Sequence, residues 1–99
     1  MGVSIEFAPE AGRDVTEAAA WYEGLAVGLG DAFLSSLDAK LQNMRRTPKA
    51  FPLFHGSYRR AFVRRFPYCV FFELAGASIK IYSVAHTSRH PSIVLERLP

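Results

Sequence analysis

Tyr58-Arg-Arg-Ala-Phe-Val-Arg-Arg-Phe-Pro-Tyr-Cys-Val-Phe-Phe-Glu73 is the stretch that decides the fold. It reads as two adjacent strands, the first over about 58–65 and the second over 68–74, with Phe66-Pro67 as the turn between them. Alternation at period two places Tyr58, Arg60, Phe62 and Arg64 on one face of the first strand, and Arg59, Ala61, Val63 and Arg65 on the other. Guanidinium on both faces points to a partner that is anionic or rich in carbonyls. The second strand is apolar on both sides, Val70 and Phe72 opposing Phe71, as a central strand covered twice should be.

Working outward, Gly76 turns the chain into Ile79–Ala85, which alternates as a further strand, and such short connections give an antiparallel meander. Upstream, residues 48–57 read as a loop carrying Phe51, Phe54 and His55. Val3–Phe7 alternates as a first strand and ends before Pro9, which suits the first turn of a helix. That helix runs to about Leu25 with the apolar stripe Ala11, Val15, Ala18, Tyr22 and Leu25, and Glu10 and Asp14 complement its dipole. Gly24, Gly28 and Gly30 break the pattern. Asp31 is the expected N-cap of a second helix with the stripe Phe33, Leu34, Leu37, Leu41 and Met44, closed by Arg45, Arg46 and Pro48. The expected fold class is α+β, a helical hairpin packed on a mainly antiparallel four-stranded sheet. Its order is β-α-α-β-β-β, and a short tail helix within residues 92–98, a partner, or both cover the second face of the central strand.

The 99 residues make one domain, and 49% hydrophobic with 21% charged residues argues against a disordered chain. No apolar run approaches the roughly 18 residues that span a bilayer. One cysteine, Cys69, leaves no intramolecular disulfide, and no charged-then-apolar leader opens the sequence, so the expected location is the reducing cytoplasm. The net charge of +3 is unevenly spread. Seven carboxylates and one arginine fall in residues 1–38, while residues 39–99 hold eleven basic side chains against Glu73 and Glu96. Such a field favours acidic partners for the C-terminal half, either nucleic acid or an acidic polypeptide.

Ala20-Trp21-Tyr22-Glu23 with Gly28-Leu-Gly30 and Phe33, then Arg59-Arg60 through Arg65-Phe66-Pro67-Tyr68, then Val84-Ala85-His86-Thr-Ser-Arg89-His-Pro91, resemble in this order the RelE/ParE superfamily of bacterial toxins. The likeness is greatest to ParE-like plasmid-stabilisation proteins and extends over nearly the whole chain, as a single toxin domain over residues 1–99. The resemblance implies the toxin half of a type II toxin–antitoxin pair, held in a hetero-oligomer by a small acidic antitoxin. ParE-like members are understood to poison DNA gyrase, whereas RelE-like members are similar to ribosome-dependent mRNA endonucleases. The lysine-rich surface of the latter is absent here, with Lys40, Lys49 and Lys80 alone, and so is their tyrosine-bearing tail. Gyrase is therefore the expected target. A ribosome-dependent nuclease acting on mRNA and a non-toxic relative that keeps only antitoxin binding are the alternatives.

The expected target- or antitoxin-binding residues are Arg59, Arg60, Arg64, Arg65, Tyr68 and Arg89, although arginines on a sheet face can equally be a solvated surface. Were the chain a nuclease, His86, Arg89, Arg60 and Glu73 would be the catalytic candidates. An imidazole suits proton transfer and guanidinium suits the charge of a phosphorane. The plainer readings are a hydrogen-bonded structural His86, an Arg89 that braces the tail against Glu96 or backbone carbonyls, and a Glu73 paired at the surface. No cofactor or metal is expected. His86 and His90 lie where no helix puts them on one face, and Gly28-Leu-Gly30 follows a helix, not the strand that a nucleotide-binding loop requires. Cys69 reads as core, and Trp21 as packing at the core edge or, if exposed, a binding anchor.

Overall fold

A computed structural model describes residues 3–99 of the chain. Strand β1 (Ser4–Phe7) leads into helix α1 (Pro9–Leu25), whose first turn carries Pro9 where a backbone N–H would have no partner. The Ala8 N–H donates to the Ile81 carbonyl at 2.8 Å, which fixes the entry of the helix onto the sheet. Ala11, Ala18 and Tyr22 form the buried stripe. Leu25 departs from it and is exposed.

Helix α2 (Leu29–Arg46) is capped three residues before the expected Asp31. Its N-cap is Gly28, at φ 88°, a left-handed conformation that costs glycine little. The capping acceptor comes from the other helix: the Glu23 carboxylate accepts the N–H groups of Gly28 and Gly30, each at 3.0 Å. Three otherwise orphaned features of the turn are thus satisfied at once, two donors and the positive end of the helix dipole. Gly30 also lets the helices touch, since a Cβ there would lie 2.7 Å from the Ala19 carbonyl oxygen. Gly30→Ala is accordingly expected to destabilise the protein by about 1–3 kcal/mol through overpacking, as read from urea unfolding. Phe33, Leu37 and Met44 are buried as the helical spacing requires, while Leu34 is exposed.

Among the described residues the sheet has five strands, in the order β1-β5-β4-β3-β2, not four. The additional strand is β2 (Leu53–His55), inside the segment read as a loop. It is three residues long and irregular in register against β3, so no alternation announces it. Strand β3 (Tyr58–Phe62) is shorter than expected. Arg64 and Arg65 fall in the turn that follows, where Arg65 takes φ 74°. Strands β4 (Tyr68–Ala75) and β5 (Ser78–His86) complete the antiparallel meander around a turn with Gly76 at φ 60°, and β1 pairs with β5 in parallel. The fold is therefore α+β on a mainly antiparallel sheet, with β4 central.

The pairing of β4 with β5 slips between Phe71 and Phe72, opposite Ser83 and Ile81, so Tyr82 is an extra residue in β5. That bulge switches parity and puts Val84 with Ile79 and Ile81 in the core under the helices. Val70, Phe72, Ala61 and Val63 join them there. On the opposite face Cys69 and Phe71 are covered by Val94 of helix α3 (Pro91–Leu95) and flanked by Phe54 of β2. The second cover of the central strand is thus the tail, as far as Val94 reaches. No helix among the described residues is long and apolar enough to cross a membrane.

Candidate functional site

The β4 and β5 strands pair so that Tyr68 lies opposite His86 and Cys69 opposite Ala85. This register brings residues distant in sequence to one end of the open sheet face. A cleft of about 170 Å³ forms there, with Cys69, Phe71 and Val94 as its apolar floor and Arg60, His86 and Arg89 around it. Arg60 projects from β3, its guanidinium 5.8 Å from the Phe54 ring centroid and 5.6 Å from that of Phe62. Two rings hold the side chain by cation–π attraction and leave its N–H donors exposed. Burial pushes the Cys69 thiol up to about 11, against the opposing field of Arg60. The thiol therefore stays protonated at neutral pH and packs as a small apolar group. Iodoacetamide is expected to label it at pH 8 only when denaturant unfolds the chain, a result read by mass spectrometry.

His86 ends β5, with its ring edge-on to Tyr68 at 5.3 Å between centroids. Its Nδ1 accepts the Ser88 N–H at 3.1 Å, which assigns the proton of the neutral ring to Nε2. The Arg89 N–H donates to the His86 carbonyl at 3.0 Å, so the turn that carries Arg89 is built on the strand end. Tyr68 packs against Tyr22 and Phe33, and burial raises its phenol above the ordinary value, while the Arg89 charge acts in the opposite direction.

A second cleft of about 300 Å³ opens on the far side of His86 and Arg89, between α1 and the tail. Trp21 and Ile93 form its apolar rims, and Trp21 is 60% exposed, the condition under which the sequence reading made it a binding anchor. Its end is closed by Asp14, which accepts from Arg97 at 2.5 and 3.0 Å and from the Val84 N–H at 3.0 Å. Helix, sheet and tail meet at this one carboxylate. The tail brace expected between Arg89 and Glu96 is supplied by Arg97 and Asp14, and the Asp14 hydrogen bond raises the Arg97 guanidinium further above its ordinary value. A contact between residues 83 positions apart leaves no local signal in the sequence.

The remaining candidates are dispersed. Arg59 lies on the helix side and donates to the carbonyls of Phe51 at 2.7 Å and Lys49 at 3.4 Å, clamping the single helical turn Pro48–Ala50. Arg64 and Arg65 sit in the β3–β4 turn, facing α2. Glu73 is at the other end of β4, accepting from Ser57 at 2.7 Å and from the Tyr82 hydroxyl at 3.3 Å. His90 caps α3, its Nδ1 accepting the Ser92 N–H at 3.2 Å. Among the described residues no group of three or more His, Cys, Asp or Glu side chains is placed to hold a metal ion.

No protein-family model and no curated protein matches the sequence. Solved structures do. A chain of a chromosomal ParDE TA system from P. aeruginosa superposes with a TM-score of 0.70 at 13% identity, covering 85% of this chain and 95% of that one. The E. coli toxin RelE, a two-arginine mutant in the free state, superposes with a TM-score of 0.62 at 16% identity, covering 98% and 94%. The chain thus shares the α+β fold of these ParDE and RelE structures, a helical hairpin on a mainly antiparallel sheet in this chain.

Proposed function

We propose that this chain is a single toxin domain, the toxin component of a type II toxin–antitoxin pair, acting in the cytoplasm as a gyrase poison and silenced by a small acidic antitoxin. The fold shared with the ParDE and RelE structures supports the toxin role. The observation that carries binding over catalysis is the cleft itself. Two guanidiniums and one imidazole line a cleft with an apolar floor, a surface suited to holding a carboxylate-bearing apolar segment. Glu73, the carboxylate weighed as a general base, is bonded to Ser57 and Tyr82 instead. The nearness of His86 to Arg60 and Arg89 favours the second reading, an mRNA endonuclease on the ribosome in which imidazole moves the proton.

The antitoxin segment is expected to lie across the open face with its acidic residues at Arg60 and Arg89, shielding Phe54 and Phe62. Co-expression with the product of the neighbouring gene tests this. Tight co-purification and relief of growth arrest support the reading. A neighbour that neither binds nor relieves the arrest overturns it.

A further inference from the structure

The turn between β3 and β4 holds two successive arginines in a conformation that the chain does not favour. Arg65 takes φ 74°, a left-handed geometry in which glycine or asparagine would sit without strain. The turn is nevertheless firmly set. The Val63 N–H donates to the Tyr68 carbonyl at 2.9 Å, the Tyr68 N–H to the Phe66 carbonyl at 2.8 Å, and the Phe66 ring packs on Tyr22 and Phe33 at 4.9 and 5.4 Å. Strain of this kind persists where its surroundings over-determine it, and it gathers at functional positions. Here it shapes the turn that carries two exposed arginines, neither of which makes an ion pair among the described residues.

What they face is a groove of about 580 Å³ against α2. Arg64, Arg65 and Lys40 line it as cations, with Ser35, Ser36 and Asn43 as neutral donors, and no carboxylate takes part. The nearby Asp38 is engaged by Gln42 on its own helix, and Arg46 donates to Asn43 Oδ1, adding a cation beside the groove. Ala32 and Ala39 complete a wall low enough for a backbone to approach.

We propose that this groove binds the phosphodiester backbone of duplex DNA. The lining is cationic and rich in donors that suit phosphate oxygens. It contains no aromatic ring, so it offers no platform on which the bases of a single strand could stack. The choice of DNA over an RNA duplex rests on the gyrase reading above, and the groove is separate from the Arg60–Arg89 cleft. Two or three phosphate contacts predict an affinity that falls with salt at a log–log slope of roughly −2 to −3.

The test is fluorescence anisotropy of a labelled 25-base-pair DNA duplex with the full chain over a salt series, about 25 base pairs being ample for one groove. Wild type should bind at low salt with that slope. Arg65→Gly removes a charge and the strain together, so it should fold at least as stably by thermal unfolding, yet reduce the slope by about one. Arg64→Ala with Arg65→Gly should reduce it by about two and weaken binding tenfold or more. No binding at low salt, an unchanged slope in the double variant, or tighter binding of an RNA duplex or a polyglutamate peptide would overturn the proposal. DNA binding that persists while gyrase is unaffected would uphold the groove and count against the gyrase reading alone.

Discussion

Arg60→Ala and Arg89→Ala are expected to weaken toxicity in proteins that still fold, while His86→Gln remains toxic. Both arginines are exposed at the rim of the apolar cleft, and Arg60 is held ready between Phe54 and Phe62. Losing a charge-assisted contact at an interface costs about 1.5–3 kcal/mol, on the order of a tenfold to hundredfold loss of affinity. The His86 ring, by contrast, already spends Nδ1 on the Ser88 N–H, a role glutamine can imitate without titrating. A nuclease dependent on imidazole would lose on the order of a hundredfold or more in rate from the same change. Growth arrest at graded expression, with circular dichroism on each variant, separates the two. A folded but harmless His86→Gln beside fully toxic arginine variants would favour the nuclease.

Phe33→Ala should destabilise the fold by about 3–5 kcal/mol, a large share of the roughly 5–15 kcal/mol typical of a domain. Phe33 is fully buried, stacks on Tyr22 at 5.4 Å, and meets Phe66 and Tyr68 edge-on at 5.4 and 5.2 Å. It joins the helical hairpin to the turn that carries Arg64 and Arg65 and to the ring behind His86. Its loss leaves a cavity and removes the support of both surfaces at once. Urea unfolding measures the effect. A cost below 1 kcal/mol would mean that the cluster does not tie the hairpin to the sheet.

The helices were legible because helical spacing and its stops are local. Pro9, the Ala11–Tyr22 stripe and Pro48 mark them without reference to anything distant. The central strand was legible for the same reason, since a run apolar on both faces has few other solutions. What escaped depended on partners. Strand β2 exists only through pairing with β3, and β3 ends early because Arg65 turns the chain while its alternation continues. Glu23 caps a helix from the one before it, and Asp14 joins α1 to Arg97 at the far end of the sequence. The site shows the same division. Arg60, His86 and Arg89 line one cleft because the meander sets their register, with Tyr68 behind His86 on the helix side, whereas residue type alone grouped Glu73 with His86 and Arg59 with Arg60.

Incubation of the purified protein with gyrase, ATP and supercoiled plasmid bears most directly on whether the chain poisons by binding. The expected result is an accumulation of gyrase-linked double-strand breaks that wild type produces, His86→Gln still produces and Arg60→Ala produces weakly. Undisturbed gyrase, together with primer-extension ends that cluster within codons only when translating ribosomes are present, would contradict it.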